Sequence, residues 1–266
     1  MSRWTGLTVC IIGYGKGSGK TKVIEELTKI LVSRGYSVAT VKHCSHPIDV
    51  IGKDTYRHRA AGARASLAIS RGEVALFLPN TGDSVEEYMD LLPSTSFTLI
   101  EGFKEANYPK ILCIPDGYTS CNTVFKDLLA VVVCKKGVDI HGINVDKPVF
   151  SIDDLNLLAK MLVDEALDRI TRILGGSDCG RCGFTDCRSF ALAILRGEVE
   201  PYICTLSRGS RVEVFFDGKP IQLNRFTENI VSSTLKGMLS CLKGLEELTR
   251  SNVRFKIEIS SMQYHQ

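Results

Sequence analysis

Apolar positions along the chain fall into two rhythms. Leu7–Ile12 is a short, continuous apolar run, the pattern of a buried strand, and it ends at Gly13. Lys20–Arg34 then changes period: Val23, Leu27, Ile30 and Leu31 share one helical face, and Gly35 is placed to stop the helix. Ser37–Val41 predicts a second strand, and Ala60–Ala65 the end of a short helix. Ser66–Ile69 and Val74–Leu78 pair as strands around Arg71-Gly72. Val85–Leu92 predicts a short helix. Thr98–Ile100, Ile111–Ile114, Leu129–Val133 and Val149-Phe150 predict further buried strands, with a helix from about Asp153 to Ile170. Strand and helix alternate, which favours a mainly parallel sheet covered on both faces.

The rhythm breaks at Leu174-Gly175-Gly176-Ser177. A cysteine-rich stretch follows, with helix spacing over Arg188–Arg196. Beyond it come a strand at Arg211–Phe216, a turn at Asp217-Gly218 and an amphipathic stretch at Glu228–Leu248. Phe255–Ile259 alternates and is placed to return beside Val212–Phe216. With the glycine-rich Gly13–Thr21 between the first strand and the first helix, the expected architecture is an α/β P-loop NTPase fold, residues 1–172, then a small four-cysteine domain, 173–208, and a small α+β segment, 209–266.

Composition fits a globular protein: 44% hydrophobic and 24% charged residues in 266, enough apolar side chain for a core without disulfides. A net charge of +3, with Lys and Arg spread along the chain, gives no footing for a nucleic-acid partner. No run approaches the roughly 20 apolar residues of a membrane span, and Leu7–Ile12 is too short for a signal sequence, so the expectation is a cytoplasmic protein. Ten cysteines divide in two ways. Cys10, Cys113 and Cys134 lie in or beside strand runs and read as small buried hydrophobes; Cys44, Cys121 and Cys241 stand alone. Cys179, Cys182, Cys187 and Cys204 are clustered, and in a reducing compartment a cluster favours metal over disulfide.

Between the first strand and first helix lies Gly13-Tyr-Gly-Lys-Gly-Ser-Gly-Lys-Thr21. In that context consecutive backbone N–H groups can wrap phosphate oxygens while the helix N-terminus adds its positive dipole end. Gly15, Lys16, Gly17, Ser18, Gly19, Lys20 and Thr21 form the expected nucleotide-binding set, Lys20 reaching the β- and γ-phosphates and Thr21 coordinating Mg²⁺. Gly13 lies one residue too early for the standard spacing, so either the loop is one residue longer or Gly15 makes the turn. Lys16 is four residues before Lys20, not five, and reads as a solvated loop residue rather than a second signature lysine. A ligand-free glycine turn is the plain alternative; Gly-Lys-Thr at this junction argues against it. The partner acid is expected after another buried strand, where Glu101 would hold a magnesium-bound water or polarise the attacking one.

Residues 42–59 are dense in Lys, His, Asp and Arg and follow the second strand. His43 and His46 with Cys44 or Asp49 make a poor zinc pattern, interrupted by Pro47. The better reading is a switch-like loop touching phosphate and magnesium, with Lys53 and Arg57 as ligand contacts and Asp54 beside Glu101 as a catalytic candidate.

Gly-Ser-Gly-Lys-Thr at 17–21, Val-Lys-His at 41–43, Gly-Lys-Asp-Thr-Tyr-Arg-His-Arg-Ala-Ala-Gly-Ala at 52–63 and Leu-Ile-Glu-Gly-Phe-Lys at 99–104 occur in order. Together they resemble the molybdopterin-guanine dinucleotide biosynthesis protein B (MobB) family over about residues 6–165. The resemblance implies a homodimeric GTP-binding fold with weak hydrolysis, assisting a guanylyltransferase that attaches GMP to molybdopterin. Cys134 departs from the acid that such proteins tend to carry after this strand, which bears on base specificity.

The cluster reads C-x2-C-x4-C-x16-C. Three thiolates on one tight loop suit one corner of a metal core, and Gly180 and Gly183 let the backbone wrap and offer N–H groups to sulfur. Zinc ribbons use two separated C-x2-C pairs, and only one is present. The pattern over about 176–206 also resembles the small 4Fe-4S domain of corrinoid iron–sulfur and electron-transport proteins. The leading expectation is a GTP- and Mg²⁺-binding accessory protein of molybdenum or tungsten cofactor biosynthesis carrying a 4Fe-4S cluster. An iron–sulfur redox protein gated by nucleotide hydrolysis, and a scaffold that binds nucleotide without turnover, are the alternatives.

Overall fold

The computed structural model describes residues 6–15, 17–82, 84–115, 125–135, 145–200, 204, 212–216, 219–221, 225–242 and 255–259. The chain forms two compact units, one of residues 1–168 with 195–197, the other of 169–194 with 198–266.

The first unit is built on a six-stranded sheet. Its strands are β1 (Leu7–Gly13), β2 (Val38–Lys42), β5 (Phe97–Glu101), β6 (Lys110–Ile114), β7 (Leu128–Val133) and β8 (Val149–Ser151). They lie in the order β2-β5-β1-β6-β7-β8, and every pairing is parallel. A parallel sheet covered on both sides needs apolar residues on both faces, and every residue of β1 and β6 is buried. On one face Cys10, Ile12, Ile100, Leu112, Val131 and Val133 form a core with Val85 from a 3₁₀ helix, Val85–Leu91. Helix α1 (Lys20–Ser33) packs across β1, β5 and β2 with Val23, Ile24, Leu27 and Leu31 buried. Ile24 thus takes the inward place expected of Ile30, which is half-buried. Gly35, at φ +84°, ends the helix as its position predicts.

Between β2 and β5 the chain leaves the sheet. Helix α2 (Asp54–Ala60) ends earlier than the pattern suggested, because Gly62 at φ +106° turns its N–H back to the Arg59 carbonyl. The antiparallel strands β3 (Ser66–Ile69) and β4 (Val74–Phe77) form a separate two-stranded sheet. Helix α3 (Leu155–Ile173) buries Leu155, Leu158, Ala159, Leu162 and Ala166.

In the second unit, α4 (Cys187–Leu195) follows the cysteine loop. Strands β9 (Val212–Phe216), β10 (Lys219–Ile221) and β11 (Phe255–Ile259) make a three-stranded sheet in the order β10-β9-β11, and β11 returns parallel to β9. Helix α5 spans Arg225–Ser240 and ends in a turn at Cys241-Leu242; residues 243–248 of the expected helical stretch and the turn at 217–218 lie outside the described residues. No helix among the described residues is long and apolar enough to cross a membrane.

Candidate functional site

β1 sits in the middle of the sheet with β5 and β6 on either side, so its C-terminal end opens at the point where the chain's direction of travel across the sheet reverses. The glycine loop begins there. A Cβ on Gly13 would lie 2.2 Å from Ser18 Oγ and 3.1 Å from the Cys113 carbonyl oxygen, so only glycine fits. Gly15 meets nothing within 4 Å and has no left-handed φ. The close approach is therefore made by Gly13. Gly17 (φ +79°) and Gly19 (φ +85°) turn the backbone into α1. Lys20 Nζ lies over the loop, donating to the Gly15 carbonyl at 2.8 Å and to Ser18 Oγ at 2.9 Å. Lys16 lies outside the described residues.

Parallel register carries a carboxylate to this loop. Glu101 ends β5, opposite Ile11 of β1 and Lys42 of β2. Its oxygens accept from Thr21 Oγ1, both at 3.2 Å, and Lys42 Nζ donates to Oε2 at 3.0 Å. The backbone behind it is fixed on both sides: the His43 N–H donates to the Glu101 carbonyl and the Gly102 N–H to that of Ile11, each at 3.0 Å. Gly102 and Phe103 then turn through left-handed backbone (φ +99° and +52°), and the Phe103 ring meets His43 edge-on at 5.1 Å. The result is a cavity of about 650 Å³ with the glycine loop, Thr21 and Glu101 on its walls and Lys22, His43 and Lys104 at its margin. A hydroxyl and a carboxylate here make the hard-oxygen pair that suits Mg²⁺. Sequence reasoning assigned no role to Lys42; Val-Lys-His was visible as a motif, but its contact with Glu101 depends on β2–β5 register.

The polar segment contributes less to the cavity than expected. Lys53, Asp54 and Arg57 do not line it; Asp54 and Arg57 form an exposed pair at 3.8 Å. The residues that organise this segment are Asp49, Thr55 and Arg59. Asp49 accepts from Arg59 Nη2 at 2.7 Å and from Thr55 Oγ1 at 3.0 Å, while the Arg59 guanidinium stacks 5.2 Å over Phe77 of β4. The Arg59 hydrogen bond, seconded by Thr55, holds the Asp49 carboxyl below the usual carboxylate range.

Cys134, expected as a buried hydrophobe like Cys10 and Cys113, is only half-buried and packs on the loop: a Cβ on Gly19 would lie 2.3 Å from its own Cβ. The strand ends at Val133, so Cys134 leaves the sheet beside the phosphate loop.

The clustered cysteines all belong to the second unit. Cys179 is exposed, Cys182 half-buried, Cys187 and Cys204 buried. Asp178 (φ +46°), Gly180 (φ +66°) and Gly183 (φ +89°) wind the loop so that backbone N–H groups reach sulfur. The Asp178 N–H lies 3.4 Å from Cys187 Sγ, and the Arg181 N–H draws the Cys179 thiol below its ordinary value. Burial pushes the Cys187 thiol up. Asp178 Oδ1 caps the first turn of α4 at Cys187 N (2.7 Å), and Asp186 Oδ1 accepts from Ser189 N (2.6 Å). Four soft thiolates with N–H donors to sulfur match an iron–sulfur core in donor chemistry.

Comparison with known proteins bears on both units. Residues 8–134 match the family described as "Molybdopterin guanine dinucleotide synthesis protein B", and residues 174–206 match "Putative Fe-S cluster". The chain is 30% identical over 260 residues to the "Putative molybdopterin-guanine dinucleotide biosynthesis adapter protein" of Methanocaldococcus jannaschii, covering 95% of this chain and 97% of that one. It is 31% identical over 156 residues to the Escherichia coli "Molybdopterin-guanine dinucleotide biosynthesis adapter protein", covering 56% of this chain and 87% of that one. The crystal structure of Bacillus subtilis MobB aligns with 60% of this chain and 97% of its own at 25% identity, with a TM-score of 0.47.

Proposed function

This chain belongs to the molybdopterin guanine dinucleotide synthesis protein B family, and from that premise we propose that it is a GTP-binding adapter protein in the assembly of molybdopterin guanine dinucleotide. The observation that carries the reading is the meeting of Thr21 and Glu101, 80 residues apart in sequence, beside Lys20 at the mouth of the glycine loop. Loop N–H groups and the N-terminus of α1 bind the phosphates, and Lys20 adds a point charge. Thr21 Oγ1 and Glu101 hold Mg²⁺, which neutralises phosphate charge when bound. Lys42 keeps the Glu101 carboxylate turned toward Thr21. Turnover is weak, at the slow end of intrinsic GTPases, and the chain acts through its partner guanylyltransferase.

Cys179, Cys182, Cys187 and Cys204 hold a 4Fe-4S cluster in the second unit, a one-electron centre separate from the nucleotide chemistry. The division at 173–208 and 209–266 describes that unit as a cluster domain and an α+β segment.

The β3–β4 hairpin supports a homodimer. Leu67, Ile69, Val74 and Leu76 are 56%, 73%, 65% and 49% exposed, and an isolated two-stranded hairpin is marginal in water. Ile69→Lys is expected to turn a dimer into a monomer by light scattering; an unchanged mass would move the interface elsewhere.

The test of function is reconstitution. Added to its cognate transferase, molybdopterin and GTP, the chain raises the yield of guanylated product, and it binds GTP in preference to ATP. No stimulation by a chain that binds GTP would overturn the adapter reading; preference for ATP would overturn the base assignment.

A further inference from the structure

We propose that His43 and Lys104 form a clasp for the terminal phosphate of a nucleoside triphosphate, on the far side of Glu101 from the glycine loop. Sheet order puts them there. At the C-terminal edge of the sheet, β2, β5 and β1 lie side by side. The wall therefore runs from His43, which follows β2, through Glu101 and Gly102 at the end of β5, to the glycine loop that follows β1. His43 and Lys104 line the same cavity as that loop. Lys53, Asp54 and Arg57, whose residue types suggested a phosphate contact, do not.

Both side chains are braced from behind. The His43 N–H donates to the Glu101 carbonyl at 3.0 Å. Gly102, at φ +99°, passes so close that a Cβ there would lie 3.1 Å from the His43 Cβ. The Phe103 ring meets the imidazole edge-on at 5.1 Å and packs against the core of the sheet. Phe103 itself holds φ +52°, a left-handed conformation that a bulky residue rarely adopts. Three sets of hydrogen bonds keep the turn in that shape. The Ala106 N–H donates to the Phe103 carbonyl at 3.1 Å. Lys110, only 3% exposed, donates from Nζ to the Ala106 carbonyl at 2.8 Å and to the Tyr108 carbonyl at 3.0 Å. Glu86 Oε1 accepts from the Asn107 N–H at 2.9 Å. Backbone strain of this kind persists only where the surroundings over-determine it, and it clusters at ligand clamps. Here it places an imidazole beside Glu101 and, one residue beyond Phe103, an ammonium at the cavity wall.

Which phosphate the clasp would meet follows from the order of the wall. Lys20 and the N-terminus of α1 serve the phosphates within the loop, and Thr21 and Glu101 suit an ion that bridges the two outer ones. His43 and Lys104 come next along the edge, so they face the outermost phosphate. An imidazole N–H and an ammonium there donate hydrogen bonds to its charged oxygens. A diphosphate ends before the clasp and gains nothing from it. The clasp is thus a specificity device that separates triphosphate from diphosphate.

This inference rests on the nucleotide reading above, and one experiment separates the two. Full-length protein, prepared anaerobically, is titrated with GTP and with GDP by calorimetry in the presence of MgCl2. Wild type is compared with His43→Ala, Lys104→Ala and Lys104→Arg. Lys104 is exposed, so its replacement leaves the core intact. Each alanine variant is expected to bind GTP about tenfold more weakly while GDP affinity moves by less than about twofold. Lys104→Arg, which keeps the charge, is expected to keep most of the preference for GTP. An unchanged ratio of GTP to GDP affinity in both alanine variants would overturn the clasp. So would an equal loss for the two nucleotides, which would trace the effect to the fold or the ion rather than the terminal phosphate. Loss of the preference in Lys104→Arg as complete as in Lys104→Ala would also overturn it. A wild type that binds both nucleotides equally would sink the clasp alone; a wild type that binds neither would refute the nucleotide reading and the clasp with it.

Discussion

The two candidate sites of this chain are assembled in opposite ways. At the phosphate loop, the groups that meet are far apart in sequence: Glu101 meets Thr21 and Lys42 because β1, β5 and β2 run side by side in fixed parallel register. Each strand end is tied by backbone hydrogen bonds and underlain by residues with no solvent exposure, such as Ile11, Leu99 and Ile100. In the cysteine module the ligand candidates are near one another in sequence, on a loop wound by left-handed residues and capped into α4, with Cys204 returning beyond that helix. A site made from sheet register is held by the core whether or not a ligand binds. A site made from local spacing carries its donors on one short stretch of chain, so its chemistry is written in the spacing itself.

The sharpest break in this comparison is Cys182→Ser. Anaerobic iron and sulfide analysis should fall from about four irons per chain to nearly none, with loss of the EPR signal of the reduced cluster. GTP titration on the same sample should be unchanged. Stoichiometric zinc without iron in the wild type would replace the cluster with a structural metal.

Lys20→Ala is the counterpart in the first unit. Losing a charge-assisted contact to phosphate should weaken GTP binding roughly ten- to hundredfold, read by calorimetry, with iron content unaltered. Equal affinity in a folded variant would end the phosphate-loop assignment.

Glu101→Gln separates holding from turnover. The amide keeps the shape and loses the charge that Thr21 and Lys42 share, so hydrolysis should slow about tenfold while GTP affinity changes little. Undiminished hydrolysis would remove Glu101 from the mechanism.

The smallest effect concerns the segment between β2 and β5. Because the Asp49 carboxyl is held below its ordinary value by Arg59, its ionised form stabilises the fold above the unfolded carboxylate range, about pH 4. That contribution is lost as pH falls through the lowered native value. Asp49→Asn should therefore lower Tm at pH 7, and the gap to wild type should close under acid. A gap that persists at pH 2 would mean that packing around Arg59 and Phe77, rather than charge, fastens α2 to the hairpin.

Much of the architecture is legible in the amino-acid sequence by itself. The order of strands and helices follows from apolar periodicity, because a parallel sheet leaves continuous apolar runs and an amphipathic helix leaves a stripe. Gly-Lys-Thr at a strand–helix junction and four cysteines within one stretch are local patterns, and local chemistry is written locally. Glu101 is readable as a strand-end acid because β5 is a buried run that stops in a charge.

What the sequence could not decide depends on contacts between distant residues. That Gly13 rather than Gly15 is packed too closely for a side chain follows from Ser18, whose Oγ would lie 2.2 Å from a Cβ there. Lys53, Asp54 and Arg57 had the right chemistry for a switch, but α2 is fastened through Asp49 and Arg59 toward the hairpin, and those three stay off the cavity wall. Lys42 reaches Glu101, and Cys134 reaches Gly19, only through the neighbour relations of β2–β5 and β6–β7. Spacing along a chain specifies which residue types are near one another within a turn or a loop. Strand order and register specify which distant side chains share a wall, and those are fixed only when the whole apolar sheet is buried at once.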